Sequence, residues 1–78
     1  MAKTTAVFYF NDEPHSIRVR IFGTDGDHFT TLGPAEGRFF EVESPDESIL
    51  WVKKWPTMLM ISYIDPQGLP QSPHDQDS

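Results

Sequence analysis

Ser44-Pro45-Asp46-Glu47-Ser48-Ile49-Leu50-Trp51-Val52-Lys53-Lys54-Trp55-Pro56 is the stretch whose reading decides the fold, because it holds the strongest local helix signal in the chain. Ser44 fits an N-cap. Pro45 fits the first helical position, where its missing N–H costs nothing, and Glu47 is placed to reach back to the backbone of Ser44 as in a capping box. Asp46 and Glu47 would then face the positive end of the helix dipole, with Lys53 and Lys54 near its negative end. Trp55-Pro56 stops the pattern, since proline pushes the preceding residue out of the α region and cannot extend the ladder. The stretch therefore predicts a helix over about residues 45–54, roughly three turns long. Ile49, Val52 and Trp55 would form one apolar stripe, and Trp51 with Trp55 an overlapping i, i+4 pair. A helix this short is marginal alone and has to bury that stripe on a sheet.

Strand patterns flank it closely. Arg38-Phe39-Phe40-Glu41-Val42-Glu43 alternates, placing Phe40 and Val42 on a core face and Phe39, Glu41 and Glu43 on a wet one. Met58-Leu59-Met60-Ile61-Ser62-Tyr63-Ile64 is apolar on both faces and is expected to be the central or best-covered strand. If these two strands lie parallel, the helix is a right-handed crossover between them.

Upstream, Ala6-Val7-Phe8-Tyr9-Phe10 is β-rich, and Asn11-Asp12-Glu13-Pro14 favours a turn. Ser16-Ile17-Arg18-Val19-Arg20-Ile21-Phe22 alternates cleanly, with Ile17, Val19 and Ile21 inward and Arg18 and Arg20 outward. The two runs predict an antiparallel hairpin. Gly23-Thr24-Asp25-Gly26-Asp27 reads as a loop, His28-Phe29-Thr30-Thr31-Leu32 as a short third strand, and Gly33-Pro34-Ala35-Glu36-Gly37 as a second turn. The expected fold class is thus α+β: a small, mostly antiparallel sheet in the order β-β-(β)-β-α-β with one short helix packed on one face.

At 78 residues the chain has room for one domain, which buries only roughly 60% of its unfolded surface and has a thin stability margin. Residues 1–64 are expected to form that domain. Residues 65–78, acidic and proline-rich with Leu69 as their only large apolar residue, are expected to be a disordered tail. There is no cysteine, hence no disulfide framework or thiolate chemistry. No apolar stretch has the length of a signal peptide or membrane span, so the expected setting is cytoplasmic with no membrane contact.

The motifs that carry chemistry are weak or missing. Asp25-Gly26-Asp27-His28 gathers potential ligands but lacks the longer series of an EF-hand, and His15, His28 and His74 lack zinc-site spacing. Asp12, His15 and Ser16 make a catalytic set only on paper, with no nucleophile elbow, and residues 33–37 lack the lysine and hydroxyl of a phosphate loop. The expectation is a non-enzyme with no cofactor and no metal.

The formal charge of −6 opposes phosphate, so direct nucleic-acid binding is not the first expectation. It suits a larger protein with a basic surface, met through an apolar and arginine-bearing patch rimmed with acid. The candidate partner-binding residues are Arg18, Arg20, Phe39, Glu41, Glu43 and Trp51, since tryptophan and arginine are typical interface anchors and Phe39 shares a face with two acids. Small acidic domains of this kind suggest a phage- or mobile-element-type modulator or inhibitor of a nucleic-acid-handling enzyme, as a monomer or weak homo-oligomer. Two alternatives stand beside it. One is a single-strand nucleic-acid binder using Arg18 and Arg20 with Phe8 or Tyr9 beside them; the other is a structural subunit of a larger assembly. The bland reading of Arg18 and Arg20 is cross-strand pairing with Glu41 and Glu43.

Overall fold

The computed structural model describes residues 2–64, and every regular element among them is a strand. The expected tail, residues 65–78, lies outside the described residues. In chain order the elements are β1 (Ala2–Phe10), β2 (Ile17–Gly23), β3 (Gly26–Leu32), β4 (Gly37–Pro45), β5 (Ile49–Trp55) and β6 (Met58–Ile64). β1 and β4 pair antiparallel as a two-stranded sheet, and the other four form a second sheet in the order β3-β2-β6-β5.

The expected helix is β5, and with it the α+β class gives way to an all-β fold of two sheets. The physical reason lies in a second period within the same residues. Ile49, Trp51, Lys53 and Trp55 alternate with Leu50, Val52 and Lys54, and the β-branched and aromatic types among them favour a pleated surface. Their backbone groups find an antiparallel ladder on β6, from Ile49↔Ile64 to Trp55↔Met58. Trp55-Pro56 does not end a helix but opens a tight turn, Pro56–Thr57, which closes a hairpin. The capping residues make a turn as well. Ser48 donates to the Pro45 carbonyl from its N–H at 3.2 Å and from Oγ at 2.6 Å, and Glu47 stands at φ 67°, outside the right-handed helical region. Ser, Pro, Asp and Glu cap helices and build turns for the same local reasons, so the pattern alone did not discriminate.

Strand pairing corrects two further expectations. β1 does not form a hairpin with β2; it pairs with β4 over nine positions, from Ala2↔Pro45 to Phe10↔Gly37. The parallel pair is β2 with β6, not β4 with β6. β2 also pairs antiparallel with β3, and the expected loop around Thr24 shrinks to the two-residue turn Thr24–Asp25. What separates β1 from β2 is Asn11, fully buried. Its Nδ2 donates to the carbonyls of His15 at 2.9 Å, Gly33 at 2.9 Å and, more weakly, Leu32 at 3.3 Å. Its Oδ1 accepts the Glu13 N–H at 3.0 Å, and its own N–H donates to Glu36 O at 2.8 Å. One amide thus fastens the β1–β2 link to the end of β3 and the β3–β4 link. A local turn is replaced by an anchored crossing between sheets.

The core lies between the sheets. Ile17, Val19 and Ile21 of β2 meet Phe40 and Val42 of β4, with Leu32, Leu59 and Ile61 completing the cluster and Val7, Tyr9 and Leu50 against it. The alternations of β2 and β4 thus hold, and burying each such side chain contributes about 1.5–3 kcal/mol. β6 is an inner strand, and Leu59 to Tyr63 are all buried. The sheets touch at Gly23, where Thr24 N–H donates to Glu43 O at 2.9 Å. A Cβ on Gly23 would stand 2.6 Å from that oxygen, so any side chain there would force the sheets apart.

Candidate interaction surfaces

Directly opposed residues of a ladder share a face. On the β1–β4 sheet, Val7 and Phe40 face the core, so Phe8↔Phe39, Phe10↔Gly37, Ala6↔Glu41 and Thr4↔Glu43 all face outward. Phe8, Phe10 and Phe39 are 55%, 51% and 66% exposed, and the Phe8 and Phe39 rings lie 5.0 Å apart at 59°. Gly37 makes the grouping possible. A Cβ there would stand 2.7 Å from Phe8 Cζ and 3.2 Å from Phe10 Cδ1, so both rings rest over bare backbone. Glu41 and Glu43 continue the same face beyond the rings. They border a recess of about 310 Å³ that Thr4, Ile21, Asp25 and His28 also line. His28 Nε2 is 3.0 Å from Asp25 Oδ2, and Thr24 Oγ1 donates to Glu43 Oε1 at 3.4 Å. Among the described residues no three histidine or acid side chains are arranged to hold a metal ion.

The outer face of the four-stranded sheet has the opposite character. Pairing aligns two rows across it: Phe29–Arg20–Met60–Lys53 and Thr31–Arg18–Met58–Trp55. Arg18 and Arg20 both lie over the Phe29 ring, at 5.5 and 5.4 Å from its centroid, and the Lys53 ammonium lies 5.3 Å from that of Trp55. Among strand residues only Asp27 brings an acid to this face, and Arg20 engages it by two hydrogen bonds of 2.9 Å. The hydrogen bonds from that guanidinium hold the Asp27 carboxyl below the ordinary carboxylate range, while desolvation pulls the other way. Among the described residues neither Arg18 nor Lys53 has a carboxylate partner.

The six candidate residues therefore divide. Phe39, Glu41 and Glu43 come together on the β1–β4 face, whereas Arg18, Arg20 and Trp51 lie on the outer face of the other sheet. Cross-strand pairing of the arginines with Glu41 and Glu43 is overturned, because those acids belong to a different sheet. Phe8 and Tyr9 likewise do not flank the arginines; Phe29 takes that place. Phe10, Phe29, Lys53 and Trp55 are further surface groups that the sequence did not single out, and Phe8, expected beside the arginines, instead faces Phe39. The alternation of Phe8 and Phe10 with Val7 and Tyr9 was the available signal for Phe10. Asp12, His15 and Ser16 form no catalytic relay, for His15 Nδ1 donates to the Ser16 backbone carbonyl at 3.1 Å. A third charged group is structural: Glu36 accepts the Gly33 N–H at 2.7 Å and Arg38 Nη2 at 2.9 Å, which lower its pKa in that order.

Among the described residues no helix is long and apolar enough to cross a membrane. Compared with protein-family models, with curated proteins and with solved structures, the chain finds no match, so the expectation of a phage-type inhibitor in an α+β frame has nothing under it.

Proposed function

We propose that the chain is a non-enzymatic protein-binding module whose docking face is the outer side of the β1–β4 sheet. One observation carries the reading: Phe8, Phe10 and Phe39 are all more than half exposed and gathered into one patch beside Glu41 and Glu43. A contiguous aromatic patch on a domain this small leaves apolar area in water that a partner would remove, and patches rimmed by polar groups mark interaction sites. The acids select the partner. A second copy docking face to face would bring Glu41 and Glu43 against themselves, whereas a basic surface with an apolar hollow satisfies rings and carboxylates together.

The test is capture and cross-linking with the intact chain, its Phe8→Ala/Phe39→Ala variant and its Glu41→Gln/Glu43→Gln variant. Each phenyl truncation should weaken the complex by about 2 kcal/mol, as expected of an interface anchor. The carboxamide pair should weaken it less and flatten its salt dependence. Melting midpoints should change little, because the rings bury little in the free protein. A captured partner indifferent to both variants would refute the assignment. So would concentration-dependent self-association abolished by the phenyl variant, which would make the occupant a second copy.

A further inference from the structure

We propose that the outer face of the four-stranded sheet is a second binding surface, which takes single-stranded nucleic acid across Arg18, Arg20 and Lys53. The proposal stands apart from the docking face, since no residue is shared and the two surfaces belong to different sheets. The formal charge of −6 argues against phosphate only if it is evenly spread, and the fold separates it. Half of the six lysines and arginines lie on this one face. Of the nine acids in residues 2–64, Asp27 alone joins them; Glu41 and Glu43 face outward from the other sheet, and the remaining six occupy turns and links. Glu41 and Glu43 thus act on this face only at a distance, and at physiological salt exposed charges more than about 8 Å apart are largely screened.

Geometry then selects a strand of nucleotides over an acidic peptide. Phe29, 57% exposed, stands on the β3 edge, and Trp55, 40% exposed, on the β5 edge. Three strand spacings, about 14 Å in all, separate those edges, and the three cations lie between or beside the two rings. Flat rings and guanidinium planes stack bases of any sequence, while the cations follow the backbone. A polyglutamate chain would use the charges and leave the rings idle. The stems of Arg20 and Lys53 meanwhile flank Met60, which is only 3% exposed, so the charged heads stand at the surface of an apolar floor.

The experiment titrates the intact chain into fluorescent oligothymidylate, oligouridylate and, at matched charge, oligoglutamate. Both oligonucleotides should bind at low salt, and two phosphate contacts, at the unpaired Arg18 and Lys53, should weaken them roughly sevenfold for a fourfold rise in salt. Arg18→Ala with Lys53→Ala should lower affinity and flatten that salt slope, whereas Trp55→Phe should lower affinity and keep the slope. Glu41→Gln/Glu43→Gln should leave strand binding intact, which separates failure here from failure of the protein-docking face. Circular dichroism guards against misfolded variants, and Arg18→Glu, at an exposed position, repeats the test by charge reversal. No oligonucleotide binding at low salt, binding indifferent to the Arg18 and Lys53 variants, or equal binding of oligoglutamate would each overturn the proposal.

Discussion

Ser44 is fully buried in β4, and its Oγ finds no hydrogen-bond partner among the described residues. An unpartnered hydroxyl in a protein interior is a desolvation penalty of about 1–3 kcal/mol. Ser44→Ala should therefore be neutral or raise stability by up to about 1 kcal/mol, because it removes the orphan and leaves a void smaller than a methyl group. Chemical denaturation of the two proteins measures this, and a helix cap at the same position would give the opposite sign. Asn11 is the counter-example, a buried polar side chain whose two amide hydrogens and carbonyl are all engaged. Asn11→Ala would strand three backbone groups at once and should cost about 2–4 kcal/mol, enough to unfold much of a marginal domain at 37 °C. A midpoint unchanged by that substitution would show that the β1–β2 link is held by something else. Neither role was legible beforehand. Ser44 and Asn11 both belong to residue types whose local habits, capping and turning, mask what a distant strand will demand of them.

At the scale of elements, the strands with a pure period of two were readable and the one with two competing periods was not. Ile17, Val19 and Ile21 alternate with arginines, and Phe40 and Val42 alternate with acids; each set fell on the core face as the pattern required. Residues 49–55 satisfy a helical stripe and a strand alternation together, and what decided between them is the β6 ladder, a long-range partner that no local signal contains. The turn before β5 offers a direct check. Glu47 stands at φ 67°, a left-handed conformation that costs a residue with a Cβ about 1 kcal/mol and glycine almost nothing. Glu47→Gly should thus raise stability by about 0.5–1 kcal/mol in urea titration. In a helix the same change would lower it by about 1 kcal/mol, so the sign of the shift reports which element the chain has built.

Across the whole molecule, what the sequence could not show was which faces coincide. Phe39 was recognisable as a wet-face aromatic, but its neighbours Phe8 and Phe10 came from a strand assigned to the wrong partner, and of the groups on the arginines' face Phe29 came from the short third strand, Asp27 from an expected loop, and Lys53 and Trp55 from an expected helix. Pairing is a non-local choice, settled by the total area that two sheets can bury. Two local carboxylate ties make stability depend on pH. Glu36, bonded to Gly33 N–H and Arg38 within the β3–β4 link, and Asp27, bonded to Arg20 across the β2–β3 hairpin, are both held below their ordinary pKa values. For a depressed carboxyl the unfolded chain binds protons more readily than the folded one. Its contribution is therefore present above the unfolded pKa and lost as pH falls through the folded value. Opposing this, the first protonations of unpaired acids relieve self-repulsion in a chain of charge −6. The melting midpoint should accordingly hold or rise slightly as pH drops from neutral toward the ordinary carboxylate range, then fall steeply below it. Glu36→Gln with Asp27→Asn should lie below the wild type at neutral pH and converge on it in acid, since both proteins have then lost the same two charges. Parallel curves across that range would mean that the two carboxylates are not what ties the β3–β4 link and the β2–β3 hairpin into the fold.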